Sequence, residues 1–88
     1  VKQVVAPTLN VIARAPFEVY YEGPALAISA ANKIGEFDVL PGHADFFSVL
    51  EPGEVLIDTK EGSEPISFQI TNGIITVRDN EVLLFANM

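Results

Sequence analysis

An all-β fold, a small antiparallel β-sandwich of about eight to ten short strands, is what this sequence predicts. Three observations carry that expectation. Apolar and polar residues alternate in short runs, as in Leu9, Val11, Ala13 and again in Ile66, Phe68, Ile70; this is the period of a half-buried strand. Turn-forming pairs separate the runs at near-regular spacing: Gly23-Pro24, Pro41-Gly42, Pro52-Gly53, Asn72-Gly73 and Asp79-Asn80. No segment sustains the 3.6-residue period of a helix.

The elements follow in chain order. Val1 to Pro7 holds a short apolar run, Val4-Val5-Ala6, stopped by Pro7, and reads as an arm or an extra edge strand. Thr8 to Ala13 alternates and is the first clear strand. Pro16 interrupts, and Phe17 to Tyr21 is a second strand, rich in aromatic and β-branched residues. Tyr20 and Tyr21 are neighbours, so a simple two-sheet arrangement allows at most one of them to face the core. Gly23-Pro24 turns the chain, and Ala25 to Ala30 extends again. Ala31 to Ile34 is a loop in which Ile34 is unexpectedly apolar.

Gly35 to Val39 is the next strand, with Phe37 and Val39 on one face and Glu36 and Asp38 on the other. Leu40-Pro41-Gly42-His43 should form a type II turn, because proline presets φ at its second position and glycine supplies the positive φ at its third. His43 is expected to close that turn by bonding a nearby backbone group and to open a strand running to Val49. Phe46 points the same way as Phe37. Glu54 to Thr59 alternates. Residues 60–64, Lys-Glu-Gly-Ser-Glu, read as a polar hairpin loop. Ile66 to Ile70, Ile74 to Arg78 and Glu81 to Ala86 complete the set. The last of these is apolar on both faces through Val82, Leu83, Leu84 and Phe85, so it should lie centrally in its sheet or be covered by something else.

Length and composition bound the function. Eighty-eight residues make one domain, residues 1–88. The formal net charge is -7, from 12 acidic and 5 basic residues, and no basic stripe exists for nucleic acid or an anionic membrane surface. There is no cysteine, which excludes disulfides and thiolate chemistry. The longest apolar runs fall well short of the ~18 residues of a membrane span. Hydrophobic residues make up 49% of the chain, enough for a core and for a partner-facing surface besides.

Catalytic constellations are missing. His43 is the single histidine, and its neighbour Asp45 lies in extended chain where side chains diverge. Ser29, Ser48, Ser63 and Ser67 occupy ordinary strand or loop positions without a nucleophile elbow. Glu36 and Asp38 share a strand face, the arrangement of a solvated surface as much as of an acid–base pair. No metal-ligand spacing and no phosphate-binding glycine loop occurs. The expectation is therefore an interaction module with no catalytic residues, no metal and no cofactor.

The stretch G-E-F-D-V-L-P-G-H-A, Gly35 to Ala44, resembles the signature of the epsilon subunit of F-type rotary ATP synthases, in its N-terminal β-sandwich domain. Tyr21-Glu22-Gly23, Leu50-Glu51-Pro52-Gly53 and Asn80-Glu81-Val82 agree in the same order, across roughly Thr8 to Ala86, and Asn72-Gly73-Ile74 stands where the family more often has Gly-Gly-Phe. The resemblance implies a non-catalytic rotor subunit of the central stalk. Such a subunit links the gamma subunit to the polar loops of the c-ring and couples rotation to ATP synthesis. It sits peripherally on the cytoplasmic face of the energy-transducing membrane, without insertion. The c-ring contact would fall on Asn32, Lys33, Ile34 and Glu36, with His43 on the neighbouring turn; Glu36 could accept charge-assisted hydrogen bonds from c-ring loops. The resemblance assigns no residues to gamma, for which the doubly apolar last strand is a candidate. The family usually continues into two C-terminal helices. The sequence stops at Met88, so that helical domain is expected to be absent and its inhibitory and nucleotide-sensing roles are not carried over.

Two other readings stay open on the residues alone. One is a stand-alone small-ligand-binding β-domain, with a pocket between the sheets and Glu36, Asp38 and His43 at its mouth. The other is a small metal-assisted enzyme using the same three groups.

Overall fold

Nine strands form two stacked sheets in a computed structural model that describes residues 8–59 and 64–87. They are β1 Leu9–Ala15, β2 Glu18–Ala25, β3 Ala27–Asn32, β4 Gly35–Val39, β5 Phe46–Leu50, β6 Gly53–Asp58, β7 Ile66–Ile70, β8 Asn72–Arg78 and β9 Glu81–Asn87. One sheet has five strands in the order β2-β1-β9-β8-β5; the other has four, β4-β3-β6-β7. No helix occurs among the described residues. The expected β-sandwich is present. Every pairing is antiparallel except β1 with β9, which run parallel, with Val11 beside Val82 and Ala13 beside Leu84. The expected loop 60–64 falls mostly outside the described residues, and the expected arm Val1 to Pro7 lies wholly outside them.

The core is what alternation places between the sheets. Val11, Ala13, Ile75, Val77, Val82 and Leu84 come from the five-stranded sheet; Ile28, Val39, Val55, Ile57, Phe68 and Ile70 come from the other. No described polar or charged residue is buried, which suits a small sandwich, because an unpaired buried polar group would cost more than it contributes.

Two turns match their sequence expectations in detail. The His43 N–H donates to the Leu40 carbonyl at 3.0 Å, and Gly42 has φ 86°, as a type II turn requires. Asp79 and Asn80 both have positive φ, 51° and 64°, the conformation of a type I′ hairpin turn between β8 and β9.

Other expectations need correction. Gly23-Pro24 does not turn the chain: β2 runs through it to Ala25, and the bend comes at Leu26. β2 is an edge strand, where a proline without an N–H interrupts no ladder. Asn72-Gly73 likewise belongs to a strand, β8, and the chain changes sheets one residue earlier, at Thr71. Phe17 is not in β2 but at the tip of the β1–β2 hairpin. Finally, Tyr20 and Tyr21 both pack on the core. The register shifts here: Ala13 pairs with Tyr21 but Arg14 with Val19, leaving Tyr20 unmatched in a β-bulge. The extra residue breaks strict alternation, so neighbours need not face opposite ways. Tyr20 then stacks on Phe68 with ring centroids 5.0 Å apart, and its hydroxyl donates to the Ala86 carbonyl at 3.0 Å.

Candidate interaction surfaces

The β3–β4 hairpin carries most of the expected site. Asn32 pairs with Gly35, so only Lys33 and Ile34 form the turn. The Asn32 carbonyl oxygen Oδ1 accepts from the backbone N–H of Ile34 at 2.9 Å and of Gly35 at 3.3 Å. This is the Asx geometry that makes asparagine a turn residue. Its Nδ2 donates to Ser48 Oγ at 3.1 Å, tying the hairpin base to β5. Asn32 is thus a structural clamp, half-buried, behind the tip. Ile34 is 97% exposed, with no apolar neighbour to shield it. Glu36, one residue into β4, points to the outer face of the four-stranded sheet, as alternation requires. Lys33, Ile34 and Glu36 therefore form one exposed cluster.

His43 is not part of that cluster. The Lys33–Ile34 turn and the Pro41–Gly42 turn lie at opposite ends of β4, a strand of five residues spanning roughly 13–17 Å. His43 is half-buried, its ring 5.4 Å from that of Phe46, and its Nδ1 is 2.7 Å from the Ala44 carbonyl oxygen. Nor does it open β5, which starts at Phe46. Residues 42–45 bond instead to the β8–β9 turn: the Gly42 N–H donates to Asn80 Oδ1 at 2.8 Å, and the Asp79 N–H to Asp45 Oδ1 at 3.4 Å.

The same geometry removes the pocket reading. The space between the sheets is filled by buried apolar side chains, and Glu36 and Asp38 face outward. They line a concavity of about 320 Å³ on the outside of the four-stranded sheet, with Ser29, Glu54 and Leu56. His43 is absent from it. Two of the three carboxylates there accept hydrogen bonds: Ser29 Oγ donates to Asp38 and Ser67 Oγ to Glu54, both at 2.6 Å. The three groups that a ligand mouth or a metal-assisted enzyme would require do not converge.

A second surface is formed by the outer face of the five-stranded sheet. Register places Val49, Ile74, Phe85, Arg14 and Val19 side by side across all five strands. The next row is Phe47, Thr76, Leu83, Ile12 and Glu22. Seven of these ten residues are large hydrophobics left in solvent, among them Phe47 at 63% exposure and Val49 at 58%. β9 is central in its sheet, and its outward Leu83 and Phe85 also lie in the middle of this face. Exposed apolar surface that runs across a whole sheet is the kind of surface that interaction sites present. Only the apolar character of β9 hinted at it in the sequence. Val49 and Phe47, on β5, escape a reading that tracks one strand at a time.

Comparison with known proteins gives a consistent picture. The family model described as "ATP synthase, Delta/Epsilon chain, beta-sandwich domain" matches residues 8–88. An ATP synthase epsilon chain from Vesicomyosocius okutanii is 34% identical over 80 residues, covering 91% of this chain and 56% of that one. One from Stenotrophomonas maltophilia is 33% identical over 67 residues, covering 76% and 47%. The chain thus spans about half the length of these relatives. Among solved structures, a chain of the Euglena gracilis mitochondrial ATP synthase, in a structure of its OSCP/F1/c-ring, superposes with a TM-score of 0.84 at 22% identity, covering 100% of this chain and 56% of that one. A chain of the Tetrahymena thermophila mitochondrial ATP synthase central stalk/c-ring superposes with a TM-score of 0.77 at 18% identity, covering 97% and 67%.

Proposed function

Because the chain belongs to the family of ATP synthase Delta/Epsilon chain β-sandwich domains, we propose that it is the non-catalytic rotor domain that fastens the gamma subunit of such an enzyme to its c-ring. Rotation driven by proton flow would pass through it to the sites of ATP synthesis. The domain would work peripherally, on the cytoplasmic face of the membrane, as one part of the assembled synthase.

The observation that carries this reading is the presence of two separate surfaces, different in chemistry, on one rigid core. The apolar face of the five-stranded sheet suits a broad, permanent contact, and it is the seat proposed for gamma. The Lys33, Ile34 and Glu36 tip suits a small contact with repeated polar loops. There Ile34 packs between loops and Glu36 accepts hydrogen bonds from cationic groups. Asn32 holds the tip in shape. His43 contributes from the far end of β4 only if the ring surface reaches that far. Coupling needs stiffness between the two surfaces, and a core packed with β-branched residues supplies it.

The test is co-assembly. The full chain should co-purify with the gamma subunit and with detergent-solubilised c-ring. Glu36→Lys should weaken c-ring capture without unfolding the domain and without disturbing gamma. Unchanged capture would remove the tip from the interface.

A further inference from the structure

The pair Asn72-Gly73 makes no turn, yet it keeps a reactivity of its own. Asparagine followed by glycine is especially open to deamidation, because no side chain shields the glycine nitrogen. That nitrogen attacks Asn72 Cγ. A C–N bond forms, the Cγ–Nδ2 bond breaks, and ammonia leaves with the proton that the Gly73 amide gives up. Asn72 is exposed, so water can reach the five-membered imide. Hydrolysis at the former side-chain carbonyl gives aspartate. Hydrolysis at the main-chain carbonyl gives isoaspartate, whose main chain runs through Cβ and Cγ and is longer by one atom.

The sheet opposes the first step. Ring closure needs the Gly73 nitrogen on the Cβ side of Asn72. Asn72 opens β8, and extended backbone, with ψ about +135°, turns that nitrogen away. It cannot swing round while Gly73 is held between Ala86 of β9 and Leu50 of β5. The side chain is held as well: Asn87 Nδ2 donates to Asn72 Oδ1 at 2.9 Å. The Asn87 carbonyl accepts from the Thr71 N–H at 2.7 Å and from Thr71 Oγ1 at 3.2 Å. Three hydrogen bonds at this end of the strand pair therefore run through Asn87. We propose that Asn72 is a deamidation site that Asn87 keeps latched, and that it reacts when this end of β8 parts from β9. Such local opening costs less than unfolding the domain. An isoaspartate at position 72 cannot close again in register, because Gly73 fits opposite Ala86 without room for even a Cβ. A transient opening thereby becomes a permanent one.

The experiment incubates the full chain at mildly alkaline pH and follows Asn72 by peptide mass mapping, for wild type and Asn87→Ala, each folded and in concentrated urea. Folded wild type should convert about 10- to 100-fold more slowly than the same chain in urea. Folded Asn87→Ala should convert about 3- to 10-fold faster than folded wild type, while the two chains match in urea. The excess should persist against wild type brought to the same melting midpoint by dilute urea. The isoaspartate product should melt below wild type, and Asn72→Asp, with the same charge but no added chain atom, should melt close to it. Conversion as fast in the folded chain as in urea, or none in either, would overturn the proposal. Equal rates at matched midpoints would remove the latch. Slower conversion in Asn87→Ala would reverse it, since the bond to Oδ1 would then activate the amide. An isoaspartate product that melts with wild type would overturn the permanent opening.

Discussion

Gly73 lies so close to Ala86 that a Cβ on the glycine would stand 2.8 Å from the Ala86 Cβ and 2.8 Å from the Phe85 carbonyl oxygen. The two residues are direct partners across β8 and β9. The glycine is needed for this approach of strands and not for a turn, although its sequence context, Asn-Gly, is that of a turn. Gly73→Ala should therefore destabilise the domain by about 1–3 kcal/mol through overpacking. Urea denaturation checks this. Adding Ala86→Gly should restore only part of the loss, since the Phe85 carbonyl remains in the way.

The bulge at Tyr20 makes a separate prediction. The Tyr20 hydroxyl is a part-buried donor to the Ala86 carbonyl. Tyr20→Phe keeps the ring on Phe68 and removes only that bond, which should cost about 0.5–1.5 kcal/mol. Chemical denaturation of wild type and variant, compared at the same slope, gives the difference.

These two residues also show what could be read in advance. Strands were legible wherever one face is core and the other is water, as in β1, β6 and β7, because alternation there is a direct record of burial. Glu36 and Asp38 could be placed outward for the same reason. The type II turn at Gly42 and the Asp79-Asn80 hairpin were legible because local φ requirements choose their residues. Pairing was not. The parallel contact of β1 with β9, the strand that runs through Pro24 and the bulge at Tyr20 depend on which chain lies alongside, and no local residue preference encodes that. The same limit hid the apolar face. Ile12, Phe47, Val49 and Ile74 are isolated in sequence and become one surface only when register aligns them. Phe17 could have been found from Pro16, which marks the tip of the hairpin instead of the start of a strand.

Asn32 holds the exposed tip from within. Asn32→Ala removes the acceptor for the Ile34 and Gly35 N–H groups and the donor to Ser48. The domain should lose about 1–2 kcal/mol. Capture by c-ring should also fall, because the tip that Asn32 holds would lose its shape. Thermal melting and ring capture, measured side by side, separate the two effects.

Ile34 offers the opposite case. Nothing in its own fold depends on it, so Ile34→Ser should leave stability within about 0.5 kcal/mol of wild type. Affinity for solubilised c-ring should nevertheless drop by about tenfold, the usual scale for an interface residue worth more than 1 kcal/mol. Equal affinity would place the ring contact elsewhere on the domain.

The most direct measurement is size-exclusion chromatography of the full chain mixed with purified gamma subunit and detergent-solubilised c-ring. All three should migrate together, Leu83→Glu should release the chain from gamma, and Glu36→Lys should release the ring while gamma stays bound. Gamma and c-ring eluting together while the wild-type chain runs alone would contradict the proposed link between them.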